Sequence, residues 1–242
     1  MPILTPEQLT GRVSTHVVEV PQLSCSLHAE AAGAFAAMAR QAAQDGIDLA
    51  AASSFRPFAR QLAIWNAKFH GRTPLLDGDG RVLDAACLDE EQIVRAILLW
   101  SALPGASRHH WGTEIDVYDR AALAPPARPQ LTPQEYAADG AFAPLSDWLA
   151  RHGAHYGFFR PYDSDRGGVQ PEPWHLSFAP VAGAALPALT LEVLADALRA
   201  GELAGQALAG ADTVRRLLPQ IHERYVCRVA APGAASRAAR PS

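Results

Sequence analysis

Apolar and polar residues alternate in three short stretches of this chain, and apolar residues recur every three or four positions in several longer ones. The alternating stretches are Ile47–Ala52, Thr113–Asp119 and Trp174–Phe178, and each predicts a strand. Helical spacing predicts an Ala-rich helix over Leu27–Ala43 ending near Gly46, and a second over Pro57–Phe69 with proline in its first turn. A third helix starts at the capping run Asp89-Glu90-Glu91-Gln92 and reaches about Leu103, and a fourth covers Pro144–His152, closed by Gly153. Thr5-Pro6-Glu7-Gln8 and Thr132-Pro133-Gln134-Glu135 carry an N-cap residue and a first-turn proline, which predicts two short helical turns. Arg72–Leu88 reads as a loop or weak hairpin around Asp77-Gly78-Asp79-Gly80, and Ala121–Leu131 as a Pro-rich surface loop. Beyond Pro187 the pattern is helical through Tyr225. From Ala230 the chain is Ala, Pro, Ser and Arg, a composition that predicts disorder. No internal repeat is visible.

Helices early, strands carrying polar motifs in the middle and helices at the end predict an α+β fold with a small, mainly antiparallel sheet. N-terminal helices flank the sheet, and a C-terminal helical appendage comes after it. The expected division is a main domain over 1–187, the appendage over 188–229 and a disordered tail over 230–242. With 242 residues, 49% of them hydrophobic, the chain is long enough to bury a sizeable core. A net charge of -4 with no basic stripe argues against a nucleic-acid partner.

The run Met1–Glu7 lacks the basic and apolar regions of a secretory signal, so export by that route is not expected. The most apolar later stretch, Leu176–Leu189, is interrupted by Ser177, Pro180, Gly183 and Pro187 and is too short to span a bilayer, so no membrane partner is expected. Cys25, Cys87 and Cys227 are far apart and odd in number, which fits reduced thiols in a cytoplasmic protein.

The candidate chemistry lies in Ser107-Arg108-His109-His110-Trp111-Gly112-Thr113-Glu114-Ile115-Asp116 and in Glu172-Pro173-Trp174-His175. In the strand after Gly112, Ile115 and Val117 share one face while Glu114 and Asp116 share the other. His109 precedes the strand, and Gly112 permits a turn that brings its imidazole and the Asp116 carboxylate to one ion. In Trp174–Phe178 the apolar residues point one way and leave His175 and Ser177 facing the other. His109, Asp116 and His175 are therefore candidate ligands of a catalytic zinc, three N and O donors with a fourth position left for water. The same donors also suit other divalent ions. Glu172 is the candidate general base and acid. Residues three apart in a regular strand face opposite ways, so this role needs a bend, for which Pro173 is a cause. His110 reads as a residue beside the site, and the His152/His155 pair is disfavoured because Gly153 and Gly157 break its helix.

Together with Ser54-Phe55-Arg56-Pro57-x-x-x-Gln61 upstream, these motifs resemble the VanY-type zinc D-alanyl-D-alanine carboxypeptidases, within the group that includes lysostaphin-like peptidases and the hedgehog signalling domain. The likeness runs from about Ala50 to Phe178. It implies that His109, Asp116 and His175 hold one zinc ion in a cleft, that Glu172 is the catalytic base and that Arg56 holds the scissile carbonyl oxygen. It implies substrate-positioning roles for Ser54, Gln61, Ser107 and Tyr156, the last within Tyr156-Gly157-Phe158, which matches a Tyr-Gly-Phe stretch of the family. Glu114 stands where many relatives have a small residue. It reads as an acid supporting the ligands, as a group meeting a cationic part of the substrate, or as a solvated strand residue.

The resemblance implies a carboxypeptidase that takes the terminal D-alanine from peptidoglycan-derived peptides. A cytoplasmic member meets recycled tetrapeptides, so L,D-carboxypeptidase activity is expected. D,D-carboxypeptidase or D-Ala-D-Ala dipeptidase action on pentapeptide precursors is the alternative, and a non-catalytic zinc-binding interaction module is the reading from a different class. The oligomeric state is not legible.

Overall fold

Capping side chains start the helices where the sequence places them. The computed structural model describes residues 4–233. Thr5 and Gln8 form a capping box at α1 (Pro6–Leu9), and Asp89 and Gln92 form another at α4 (Glu90–Trp100), each satisfying backbone N–H groups that the first turn leaves free. The helix expected over Leu27–Ala43 is α2 (Ala29–Gln44). It starts later because Cys25–His28 (β2) pairs with Val17–Val20 (β1) in an antiparallel hairpin that the residue pattern does not announce. α3 (Phe58–Phe69) comes after β3 (Leu49–Ser53), as expected.

Four antiparallel strands form the central sheet in the order β3-β4-β6-β5, with β4 at Glu114–Asp119, β5 at Phe158–Phe159 and β6 at His175–Phe178. The register sets Glu114 opposite Ser177, Ile115 opposite Leu176 and Asp116 opposite His175. Opposed residues in an antiparallel pair share a face. One face of β4 and β6 therefore carries Ile115, Val117 and Leu176 in the apolar core, and the other carries Glu114, Asp116, His175 and Ser177. All four polar residues are nonetheless buried. Between Ala51 and Ser53 the β3–β4 register shifts, and the next residue pair is Ser53 with Asp116. A bulge of this kind bends a strand end and re-aims the chain beyond it, here the segment leading to Arg56.

α2 lies against the sheet, with Phe35 edge-on to Phe158 at 6.3 Å, and α5 (Ala143–His152) adds Leu145, Trp148 and Leu149 to the same core. The apolar stretch after β6 is helical despite its prolines. Pro180 sits in the first turn of α6 (Ala179–Ala188), where its missing N–H is harmless, and Pro187 falls in the last turn. α7 (Leu191–Leu203) and α8 (Ala211–Ile221) complete the helices, the latter continued by a π-helical turn over His222–Cys227. The expected boundary after residue 187 falls at the end of α6, and the residues on its two sides share one apolar core. The first residue of the expected disordered tail is ordered: Ala230 is buried and its N–H donates to the Pro161 carbonyl. Residues 234–242 of that tail lie outside the described residues. Among the described residues no single helix is long and apolar enough to cross a membrane.

Gly112 joins the hairpin to the sheet. Its φ is +68°, its carbonyl accepts from His28 N–H at 2.8 Å, and a Cβ there would stand 2.8 Å from the same nitrogen. Gly112→Ala is expected to lower stability by roughly 2 kcal/mol or more, from left-handed strain plus the clash, and urea denaturation with the metal removed measures it.

Candidate active site

Three loops and two strands converge on one cleft of about 320 Å³. The segment after β3 brings Arg56, the turn before β4 brings Ser107 and His109, β4 brings Asp116, and the segment ending in β6 brings Glu172 and His175.

The imidazoles are aimed from behind. His109 Nδ1 lies 2.8 Å from the Ser54 carbonyl oxygen, which can only accept, so Nδ1 carries the proton and Nε2 faces Asp116 Oδ2 at 3.4 Å. His175 Nε2 donates in the same way to Glu114 Oε2 at 2.8 Å, leaving Nδ1 facing Asp116 Oδ1 at 3.1 Å and Glu172 Oε2 at 3.2 Å. One ligand atom from each of His109, Asp116 and His175 lies within 4.8 Å of the others. Asp116 Oδ1 is buried without a hydrogen-bond partner. Two imidazole nitrogens with their far N–H groups already committed, plus an unsatisfied carboxylate oxygen, fit a divalent ion such as zinc.

The bend required for Glu172 is a turn. The strand starts at His175 rather than Trp174, and His175 N–H donates to the Glu172 carbonyl oxygen at 3.1 Å, folding the two side chains to one side. Glu172 N–H is held by the Tyr162 carbonyl oxygen at 3.0 Å.

Arg56 is fixed at both ends. Its guanidinium donates to Gln61 Oε1 at 2.8 Å and Ser53 Oγ at 2.9 Å, and its backbone N–H donates to the His109 carbonyl oxygen at 3.1 Å. His110 is fully buried beside it, accepting from Gly105 N–H at Nε2 and donating from Nδ1 to the Arg56 carbonyl oxygen. Burial pushes the His110 pKa down to about 3, so it stays neutral in this bridging role.

Several expected substrate contacts lie elsewhere. Gln61 is fully buried and donates to the Ala102 carbonyl oxygen at 2.6 Å, so it holds Arg56 rather than a ligand. Ser54 acts through its carbonyl on His109, and its hydroxyl accepts from Ser26 N–H. Tyr156 ends a 3-10 turn, packs edge-on against His155 and does not line the cleft, because Gly157 turns the chain back toward the sheet edge at Phe158. His152 stacks on Trp148, away from the ligands.

Glu114 is neither solvated nor open to substrate. Its carboxylate accepts from Thr113 and Ser177 hydroxyls, from Arg108 and from His175, and is fully buried. Burial raises a carboxyl pKa, but the Arg108 charge and these donors hold Glu114 down to about 2. Arg108 lies 4.6 Å over the Trp111 ring and was not singled out in the sequence, although it sits inside the motif. Tyr162, Lys68 and Leu131 also line the cleft unpredicted. Lys68 had a signal, since it lies seven residues after Gln61 on one helix face. Tyr162, with its ring 5.0 Å from that of His175, had none.

Residues 24–181 match the family model described as VanY, D-alanyl-D-alanine carboxypeptidase. The chain belongs to the VanY family. A relative, an uncharacterized protein of Haemophilus influenzae, is 47% identical over 103 residues, which are 41% of this chain and 70% of the relative. Among solved structures, VanYB in complex with D-alanine-D-alanine aligns with 18% identity and a TM-score of 0.49 over 72% of this chain and 82% of that one. The LdcB LD-carboxypeptidase aligns with 22% identity and a TM-score of 0.49 over 76% of this chain and 78% of that one.

The geometry of this VanY-family site makes two predictions. Glu114→Ala leaves Arg108 buried without its counter-charge, so a loss of about 3–5 kcal/mol in chemical denaturation is expected, with metal affinity roughly 10- to 100-fold weaker in a competition titration. The second concerns protons. Burial disfavours the charged form of His175, but the carboxylates of Asp116, Glu114 and Glu172 outweigh it and hold its pKa well above the ordinary histidine value. The raised pKa favours a proton on His175 in the metal-free protein, and that proton competes with zinc for the same nitrogen. Calorimetry in buffers of different ionisation enthalpy is expected to show protons released on zinc binding, with affinity rising as pH rises.

Proposed function

We propose that this VanY-family protein is a zinc-dependent carboxypeptidase that removes the C-terminal D-alanine from peptidoglycan stem peptides, acting as an L,D-carboxypeptidase on tetrapeptides. The observation that carries this reading is the convergence of His109, Asp116 and His175 with Glu172 and Arg56 in one cleft. Amide hydrolysis requires a polarised carbonyl, an activated water and a proton delivered to the leaving amine.

In this reading Arg56 donates to the scissile carbonyl oxygen, where negative charge develops, and Ser53 and Gln61 keep its guanidinium from turning away. Glu172 accepts the proton of the attacking water and passes it to the departing amine. A zinc ion held by His109, Asp116 and His175 supplies Lewis acidity and brings the pKa of water to roughly 7. Ser54 and Glu114 keep the imidazole nitrogens aimed, and Leu131, Val169 and Trp174 on the cleft wall limit water around the reacting groups.

The L,D reading carries with it a cytoplasmic location and a role in recovering cell-wall peptides. Its support is the set of free thiols, with Cys87 and Cys227 exposed, which suits a reducing compartment. The family description favours a second reading, D,D-carboxypeptidase action on pentapeptides.

Mass spectrometry of tetrapeptide and pentapeptide incubated with the zinc-loaded protein separates the two. Loss of D-alanine from the tetrapeptide is expected, and loss from the pentapeptide alone would overturn the L,D assignment. Glu172→Gln is expected to lower kcat by about 10²–10⁴-fold while zinc stays bound. An unchanged rate in that variant would remove Glu172 from catalysis.

A further inference from the structure

This chain contains one lysine. Of its 21 lysine and arginine residues all but this one are arginines, and the exception, Lys68, lies in the catalytic cleft. α3 presents Gln61, Ile64 and Lys68 along one face, at positions i, i+3 and i+7. Gln61 anchors Arg56 next to the metal ligands, while Ile64 and Lys68 line the cleft beyond it. Seven residues of helix place the Lys68 backbone about 10 Å along the axis from that of Gln61. Arg56 and Lys68 both line the cleft.

Lys68 makes no ion pair among the described residues. Among the described residues no carboxylate lies within 4.0 Å of it, whereas Arg108 is paired with Glu114 and the guanidinium of Arg56 is held by Gln61 and Ser53. Lys68 is partly buried. Burial lowers its pKa, the nearby Glu172 charge opposes that, and Arg56 adds to it. A half-buried ammonium beside another cation, with no anion of its own in contact, gains most when a ligand brings the anion.

We infer that Lys68 is a specificity residue that binds a free carboxylate of the peptide substrate, an inference that rests on the peptidase reading above. A stem peptide offers that group from two sources, the C-terminal carboxylate and the α-carboxylate left free by a γ-linked glutamate. Lysine suits the task because a compact ammonium on a flexible stem can follow a carboxylate whose position shifts as the peptide settles.

The probe is L-alanyl-γ-D-glutamyl-L-lysyl-D-alanine, compared with one analogue amidated at the C-terminus and another amidated at the glutamate α-carboxylate. With zinc-loaded protein, Lys68→Met is expected to raise KM for the parent peptide about 10- to 100-fold, read in KM more than in kcat, as for loss of a charge-assisted hydrogen bond. Lys68→Arg is expected to recover most of it. Calorimetry in the Glu172→Gln background reads binding without turnover. There, amidating the recognised carboxylate weakens binding by a similar factor when Lys68 is present and has no further effect in Lys68→Met.

Whichever analogue loses its effect in Lys68→Met identifies the source. Because the chain has one lysine, reductive ¹³C-methylation places a single ε-amine signal in the NMR spectrum, and the parent peptide is expected to shift it. Cleavage of the parent peptide with equal KM in wild type, Lys68→Met and Lys68→Arg, and no shift of that signal, would sink this inference alone. Failure of the wild type to bind or cleave any of the three peptides would sink the peptidase reading and this inference together.

Discussion

The fully buried carboxylate of Glu114 is the constraint around which the site is arranged. It stands at the middle of the sheet, where an unpaired charge would be costly, and four donors meet it: Thr113, Ser177, Arg108 and His175. Arg108, itself nearly fully buried, supplies the counter-charge and packs over Trp111. A buried ion pair of this kind is not in itself a source of stability. Its consequence is geometric. With one oxygen engaged by the hydroxyls and Arg108, the other receives His175 Nε2–H, and the opposite nitrogen of that ring is turned into the cleft.

The same principle repeats around the cleft. The Ser54 carbonyl orients His109, Gln61 and Ser53 orient Arg56, and the Tyr162 carbonyl holds the turn that carries Glu172. Each of these cleft side chains is held by a hydrogen-bond partner of its own. Such support holds a catalytic constellation close to working geometry without relying on the ligand to organise it. His110 ties two of these pieces together, since it bridges Gly105 and the Arg56 carbonyl while its neighbour His109 faces the cleft. Adjacent histidines with opposite directions explain why one is a candidate ligand and the other a strut.

The register of β4 on β6 decides how the polar residues meet. Asp116 opposite His175 and Glu114 opposite Ser177 put a candidate ligand pair and its support side by side. A slip of one residue would turn the polar pair of one strand into the apolar core and part it from the other pair. Ile115, Val117 and Leu176 on the other face prevent that slip, so the packing of the core and the placement of the ligands are one property.

Much of this was legible in the residues. Period-two alternation placed the three main strands, and capping residues placed the starts of α1 and α4, because these signals are local. The motifs singled out His109, Asp116, Glu172, His175 and Arg56, which the fold brings to one cleft. Direction and partnership at a distance were not legible. Gln61, Ser54 and Glu114 have the composition of substrate contacts, yet each works from behind, since facing inward or outward depends on chain segments tens of residues away. Tyr156 lies off the cleft for the same reason, β5 has only two residues, and β1 and β2 are defined by their pairing with each other. By itself the sequence determined the chemical inventory and the local periodicity, which are properties of near neighbours. The tertiary structure alone decided which polar groups face the cleft and which are buried as their supports, because burial and hydrogen bonding are set by residues that meet only when the sheet is formed.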